Sequence, residues 1–387
     1  MSKYLLLASK ALLMLLLCGC GLTEDRRFET ERLKLVTQIN VSLMEARVRD
    51  IFETIVWNPY TQWLNIQATQ ITDELRVLFN KAQQTISPLV LDLDGINGAE
   101  TISQTAGIHF DHDANQFAEQ TGWVGKNDGL LVWDRNANGQ IDNGGELFGN
   151  HTVLASGENA AHGFAALAEL DANQDGVINI ADAAFANLRV FKDANGNGAV
   201  DAGELLTLAQ AGVKSLNTAY AGQTETDAHG NQHLQAGSYT TTTGETRAMT
   251  DVWFAVDTAR TVETQTVEVG TDIEALPDLP GFGNVRSLHQ AMARDASGTL
   301  QTLVQQYVAT SDLSARADLI DELVYHWVGV QDVDPESRAA TEIYGNVIGD
   351  ARKLAALEAF LGQGYLGTWC WGTRDPNPHG QASPILL

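Results

Sequence analysis

From 24 to 57 the apolar residues, Leu33, Val36, Ile39, Leu43, Val48, Phe52 and Ile55 among them, recur mostly at helical spacing until Asn58-Pro59 breaks the pattern. A second helical run extends from about Thr61 to Gln84, with Trp63, Leu64, Ile71, Leu75, Leu78 and Phe79 on its apolar side. Together they predict a helical hairpin over 23–87, a packing element or stalk, since no reactive constellation falls on it. At Ser87-Pro88 the pattern changes to Leu89-Val90-Leu91-Asp92-Leu93-Asp94-Gly95, a short strand running into a turn. From there to 257, short apolar runs (Leu130-Trp133, Leu188-Phe191, Ser215-Ala219, Val252-Val256) alternate with Asp/Asn/Gly loops and one helical stretch, Gly163-Leu170. That alternation predicts an α+β fold, with a central domain over 88–257. Residues 258–280 read as a linker rich in Thr, Val, Glu and Pro. Helical spacing returns over 281–371, in Val285-Arg294, Thr299-Val308, Ala315-Val328 and Thr341-Phe360, and 372–387 reads as a flexible Pro- and Gly-rich tail.

The first 22 residues change the picture of where the protein works. Lys3 and Lys10 flank short apolar runs, too short and interrupted for a membrane span, in the manner of an export signal. Leu17-Cys18-Gly19-Cys20 resembles the lipobox of bacterial lipoproteins, so Cys20 is the expected lipidation site and a route to membrane anchoring. With three cysteines in all, no disulfide framework is expected, and Cys370 reads as a packed thiol. The formal charge of −25 repels phosphate backbones and excludes nucleic acid as a partner. No protein partner can be named from the sequence.

Much of that negative charge falls in Gly- and Asn-rich loops, which turns attention to cations. Asp193, Asn195, Asn197, Ala199, Asp201 and Glu204 occupy positions 1, 3, 5, 7, 9 and 12 of an EF-hand-type loop, with Gly198 at the sharp turn of position 6. The side chains offer oxygen to a hard cation, Ala199 offers its carbonyl, and Glu204 can close the shell with two oxygens. Asp171, Asn173, Asp175, Val177, Asn179 and Asp182 repeat the plan around Gly176, with the shorter Asp at position 12. Asp134, Asn136, Asn138, Gln140 and Asp142 follow it around Gly139, but the acid Glu146 falls one residue late. Asp111, Asp113 and Asn115 begin a fourth loop that has Gln116 in place of glycine and needs Asp128 or another distant acid to complete it. The expected ligand is Ca2+, held with the affinity of extracellular modules, about 10⁻⁴–10⁻³ M, and acting structurally. The nine histidines show no metal or triad spacing and read as surface or capping residues.

Several segments carry a family resemblance. Pro88-Leu-Val-Leu-Asp-Leu-Asp-Gly95, Phe110-Asp-His-Asp113, Thr121-Gly-Trp-Val124, Asp128-Gly-Leu-Leu131, the run from Asp134 to Gly149 and Phe164-Ala-Ala-Leu-Ala-Glu-Leu-Asp171 resemble the calcium-dependent self-processing module of FrpC-type iron-regulated RTX proteins. The segment from Leu279 to about Leu361 is similar to helical regions that follow this module in hemolysin-type calcium-binding proteins. The resemblance implies that calcium folds the domain and that an Asp-Pro bond just before the Leu-Asp-Leu-Asp segment breaks, the freed Asp then able to join a Lys. Here Ser87 precedes Pro88, so the carboxylate that would attack its own peptide bond is missing. The glycine-rich RTX nonapeptide repeats do not occur in this sequence.

The expectation is therefore a non-catalytic calcium-binding module of an exported, secreted or membrane-anchored bacterial protein, with calcium ordering the fold outside the cell. An alternative is residual autoproteolysis at Asp334-Pro335 or Asp375-Pro376, visible as calcium-triggered fragments. A second alternative is a dockerin-like protein-binding module, suggested by the 171 and 193 loops and testable as a fragment of 165–220 that folds alone with calcium.

Overall fold

Leu89–Leu91 (β2) and Gly129–Val132 (β7) are short, uninterrupted apolar runs, the pattern of strands covered on both faces, and every residue of both is buried. They pair antiparallel at the centre of a sheet of eleven strands. The computed structural model describes residues 84–337 and 350–364, with short strand pieces at 339–340, 346–347, 369–370 and 373–374. The export-like segment with Cys20, the predicted hairpin up to residue 83, and Asp375-Pro376 lie outside the described residues.

The chain divides into two units, one of them Gln83–Gln265. In it the strands are β1 (Gln84–Ile86), β2, β3 (Thr101–Ile102), β4 (His109–Phe110), β5 (Phe117–Thr121), β6 (Trp123–Val124), β7, β8 (Val177–Ile178), β9 (Arg189–Phe191), β10 (Leu205–Thr207), β11 (Val213–Thr226), β12 (Gln232–Thr241) and β13 (Thr246–Glu263). The main path runs β10-β9-β7-β2-β13-β12-β11-β8, with β1 and β5 also on β13, and β4 on β5. All these pairings are antiparallel, so the mixed α and β content predicted from sequence is present, but around a much larger sheet than the short apolar runs suggest. The last three strands account for the difference. Their Thr- and Ala-rich sequences lack strict apolar alternation because β11 is largely exposed and β12 mostly half-buried, with register shifts between Val213 and Ser215 and between Leu216 and Tyr220.

Two differences from the sequence reading have local causes. Gln84–Ile86, placed at the end of a helix by its spacing, is a strand, with Ile86 opposite Phe254 in the register that places Leu89 opposite Asp251. The segment 258–280 carries structure as well: β13 continues through Glu263, and Thr271–Glu274 forms a one-turn helix, α2, after α1 (Gly163–Ala168). Ile273 and Leu279 are buried there, which a solvated linker would not require.

Two apolar clusters line the sheet unit. One gathers Leu89, Leu91, Leu131, Phe148, Phe164 and Leu167 with Tyr239 and Met249; the other gathers Val90, Leu130, Phe110, Trp123, Phe191 and Phe254. Alternation along β2 sends Val90 to the second cluster and its two neighbours to the first, so this strand separates two cores.

The other unit, in its described part, holds α2, α3 (Leu288–Arg294), α4 (Thr299–Ala309), α5 (Leu313–Val328) and α6 (Ala351–Leu361). Leu288, Met292, Leu300, Val304, Leu323, Trp327, Leu357 and Phe360 form its core, and Phe282 stacks on Phe360 at 4.6 Å between ring centroids. The last helix begins at Ala351, later than the spacing from Thr341 predicts. Asp350 caps it by accepting from Arg352 N–H, and Asn346–Val347 pairs with Ala339–Ala340 instead. Asp312 caps α5 by accepting from Ala315 N–H at 2.8 Å. Asp312→Ala is expected to destabilise this unit by about 1 kcal/mol, read as a lower melting temperature of the full chain. No helix among the described residues is long and apolar enough to cross a membrane.

Candidate metal centre

The acidic loops hang on strand ends. One follows β7, one follows β9 and leads into β10, and one leads into β8. In the loop 193–204, Asp193 is buried and accepts from Gly196 and Gly198 N–H, both at 2.7 Å, and from Asn197 N–H at 3.2 Å. The Trp123 indole N–H donates to the same carboxylate at 2.9 Å, tying the loop to the second core. At the far end Glu204 accepts from Ala194 N–H and Asp201 N–H, positions 2 and 9, both at 2.9 Å. Asn195 and Asn197 both reach Asp201, at 2.7 and 2.9 Å, so positions 3, 5 and 9 converge on one point.

The loop 171–182 has the same frame. Asp171 accepts from Asp175 and Gly176 N–H, and Asp182 accepts from Ala172 N–H at 3.1 Å and Asn179 N–H at 3.0 Å, again positions 2 and 9. Val177 and Ile178 leave the loop as β8 and pair with Asn217 and Leu216.

In the loop 134–146 the late acid is accommodated. Asp134 accepts from Asn138 and Gly139 N–H, and Asn136 and Asn138 both donate to Asp142. Glu146 nonetheless accepts from Arg135 N–H at 3.0 Å and Asp142 N–H at 2.8 Å, the same positions 2 and 9. The extra residue is taken up by a 3-10 turn over Gly144–Glu146 that Asn143 caps. Glycine at position 6 has φ of +80°, +84° and +77° in the three loops, a conformation that a side chain disfavours.

Two further clusters complete the set. Asp111 accepts from Asn115 and Gln116 N–H, and Gln116 takes φ +75° without being glycine. The acid that joins this loop is Glu119, which lies opposite Phe110 on β5 and accepts from His112 N–H at 3.1 Å. Asp128 belongs elsewhere. Leu91 pairs with Gly129, which brings Asp92 and Asp128 side by side at the ends of β2 and β7. Asp128 accepts from Leu93 N–H at 3.0 Å and Glu100 N–H at 2.7 Å, positions 2 and 9 counted from Asp92. It thus stands, from 28 residues beyond Glu100, where Glu204 stands in its own loop. Carboxylate oxygens of Asp92, Asp94 and Asp128 lie within 4.8 Å of one another, as do those of Asp111, Asp113 and Glu119.

Crowding these acids has an electrostatic cost. Burial, reinforced by the neighbouring carboxylates, pushes Glu119 up to about 8, and burial pushes Asp111 and Asp128 up to about 6. Asp113 is raised for the same reason. All the donors are oxygens, the chemistry of a hard cation such as Ca2+, and a cation would relieve the desolvated charge that protons otherwise neutralise. The residues fit such an ion.

Among the histidines, His162 caps α1 by accepting from Ala165 N–H, and its ring meets Tyr220. His112 is fully buried between Phe110 and Trp123, bonded to Thr121 Oγ1 at 3.0 Å, and burial lowers its pKa to about 3. It is a neutral core residue and not a surface one. Asp334, the acid of an Asp-Pro pair, is exposed and accepts from Glu336 N–H in a turn. Trp123→Phe is expected to leave the buried Asp193 one donor short and to destabilise the sheet unit by about 1–2 kcal/mol in urea unfolding.

Residues 89–255 match the family model of the SPM domain. Over 242 residues the chain is 45% identical to the iron-regulated protein FrpA of Neisseria meningitidis serogroup C, an alignment covering 62% of this chain and 21% of that protein. The chain therefore spans about a fifth of the length of that curated relative.

Proposed function

Because residues 89–255 form an SPM domain of the FrpC type, we propose that this chain is a calcium-ordered module of an exported, iron-regulated RTX-type protein, working outside the cell. The observation that carries the reading is the repeated frame. In three loops the closing carboxylate, Glu204, Asp182 or Glu146, accepts from the N–H groups of positions 2 and 9, while the first Asp gathers those of positions 5 and 6. Such loops leave side-chain and main-chain oxygens for a cation at their centre. The 193, 171 and 134 loops would each hold Ca2+, and the Asp92 and Asp111 clusters would complete the set.

Calcium here is a folding ligand: the carboxylates must be brought together as the sheet forms, and binding energy becomes folding energy. Export suits this, because extracellular calcium reaches millimolar levels at which modules with Kd of about 10⁻⁴–10⁻³ M fill. Anchoring through Cys20 is part of the proposal.

The test is a titration of the full chain with calcium, followed by circular dichroism and tryptophan fluorescence, with magnesium in parallel. A cooperative gain of structure with calcium, much weaker with magnesium, is expected. No change up to several millimolar calcium would overturn the reading. The dockerin-like alternative gains nothing from the fold, since β8 and β10, which adjoin the two loops, are integral strands of the large sheet.

A further inference from the structure

The turn that joins β11 to β12 gathers side chains that none of the acidic loops uses: Asp227, His229, Asn231 and, at the start of β12, His233. One oxygen of Asp227, Oδ1, shapes the turn by accepting from His229 N–H at 2.8 Å and Asn231 N–H at 3.0 Å. That half is an ordinary Asx turn. The other oxygen, Oδ2, meets a different set. His233 Nε2 lies 3.2 Å from it, and the Thr101 hydroxyl of β3 donates to it at 2.5 Å. His229 Nδ1 stands 3.3 Å from the same hydroxyl, so two imidazoles and a carboxylate surround one point. Spacing along the chain does not reveal the group, because Thr101 comes to Asp227 from 126 residues away.

The base of this group is fixed. Asn231 is fully buried; its Nδ2 donates to Thr101 Oγ1 at 2.9 Å and to the Ile102 carbonyl at 3.2 Å, and its Oδ1 accepts from Ala255 N–H at 3.0 Å. It thereby clamps the turn to β3 on one side and β13 on the other. Thr101 is buried, and the side chains of His233 and Asp227 are only 11% and 19% exposed. His229 differs: it is exposed, and among the described residues its ring bonds only to Thr101. A hydroxyl has one proton and two lone pairs. Thr101 gives the proton to Asp227 and takes one from Asn231, which leaves a single lone pair for the long contact with His229.

We propose that Asp227 Oδ2, His233 Nε2 and His229 Nδ1 hold a borderline divalent cation, Zn2+ foremost, with water in the fourth position. Two imidazoles with one carboxylate suit Zn2+ and its first-row neighbours, whereas the all-oxygen loops suit Ca2+. The spacing agrees. With Zn–N and Zn–O of about 2.0–2.2 Å, the ligand atoms of a tetrahedral site stand about 3.3–3.5 Å apart. Asp227 Oδ2 and His233 Nε2 are already 3.2 Å apart, and the exposed His229 ring completes the set by turning from Thr101 towards Asp227. The cation replaces the proton between His233 and Asp227, and the imidazole keeps its other proton on Nδ1. Thr101 and Asn231 remain as the outer partners that orient the carboxylate. Ligands from both the turn and β12 make the ion a clasp on this hairpin.

The experiment uses the untagged full chain in several millimolar calcium, which fills the acidic loops and keeps zinc out of them. Zinc is titrated by calorimetry and in competition with a chromophoric chelator, Co2+ serves as a spectroscopic stand-in, and circular dichroism is recorded on the same samples. A site for one zinc ion per chain that calcium does not displace is expected, with Co2+ giving the visible bands of four-coordination. His229→Ala and His233→Ala should each weaken zinc binding at least about tenfold and keep the calcium-driven dichroism. His229 gives Asp227 only its main-chain N–H, which alanine retains, so His229→Ala tests the proposal even should His233→Ala fail to fold. A wild-type chain that binds no zinc in calcium, or one whose zinc affinity is unchanged in His229→Ala, would overturn the proposal. Zinc that calcium displaces and neither variant weakens would belong to the acidic loops and would overturn it equally.

Discussion

Asp193→Ala should abolish the calcium-driven gain of structure in the sheet unit. Four N–H groups converge on this one buried carboxylate: three from its own loop and the indole of Trp123. Truncation strands all four, and each buried donor left unmade costs about 1–3 kcal/mol before any relaxation. Loss of a whole buried charge centre of this kind is worth about 3–5 kcal/mol, a large part of the roughly 5–15 kcal/mol that holds a domain together. The same substitution removes the first ligand of the 193 loop, so calcium would lose its means of restoring the fold. Trp123 is one of eight tryptophans, and the part of the emission that calcium shifts in the wild type should stay unshifted at the same concentrations. Asp193→Asn, which keeps the volume and loses the charge, should fold but need at least about tenfold more calcium. Wild-type midpoints in both variants would refute the assignment of this loop as a calcium site.

The loops at 134, 171 and 193 are legible in the sequence because their whole frame is local: twelve or thirteen consecutive residues supply the turn glycine, the donors and the closing acid. The Asp92 cluster is not legible in this way. Its first two acids sit in a plain Leu-Asp-Leu-Asp-Gly run, and its third, Asp128, arrives only because β2 and β7 pair with Leu91 opposite Gly129. A strand register cannot be read from spacing, and so the sequence leaves the loop at 111 open to Asp128 or another distant acid, where the structure brings Glu119 to it and Asp128 to Asp92. Glu119 follows no loop spacing and carries no turn glycine to mark it, yet it is buried on β5. The same limit explains the sheet. Short apolar runs mark β2, β7 and β9, but the long β11 and β12 carry little apolar signal because most of their residues are not in the core.

Without calcium, the sheet unit should become less stable as pH rises from about 5 to about 8, the reverse of ordinary acid denaturation. Glu119 is raised from 4.5 to about 8, and Asp111 and Asp128 from 3.8 to about 6. Each therefore holds its proton in the folded chain at pH values where the unfolded chain has released it. The stability they allow is fully present below the unfolded values and is lost as pH climbs through the folded ones. Asp111 and Asp128 lose theirs largely by pH 6, the buried Asp251 by about pH 7 and Glu119 by about pH 8, while His112, held neutral by burial, works in the opposite direction up to about pH 6.5. The buried Glu119 alone, at about 1.36 kcal/mol per pH unit, sets a ceiling of about 5 kcal/mol, and a fall of about 2–3 kcal/mol is expected once the unfolded state and relaxation are allowed for. Calcium reverses the sign by taking the place of the protons: its affinity should rise between pH 6 and 8, with protons released on binding. Urea unfolding at pH 5, 6.5 and 8, with chelator and with calcium, measures both limbs, and binding heats in buffers of different ionisation enthalpy count the protons. Glu119→Gln should remove the part of the slope between about pH 7 and 8, where Asp251 has already released its proton, and leave the calcium-free protein more stable at pH 8. A chelated protein whose stability is flat or rises over this range would mean that these carboxyls are not held protonated by burial, and that the Asp111 cluster places no demand on a cation.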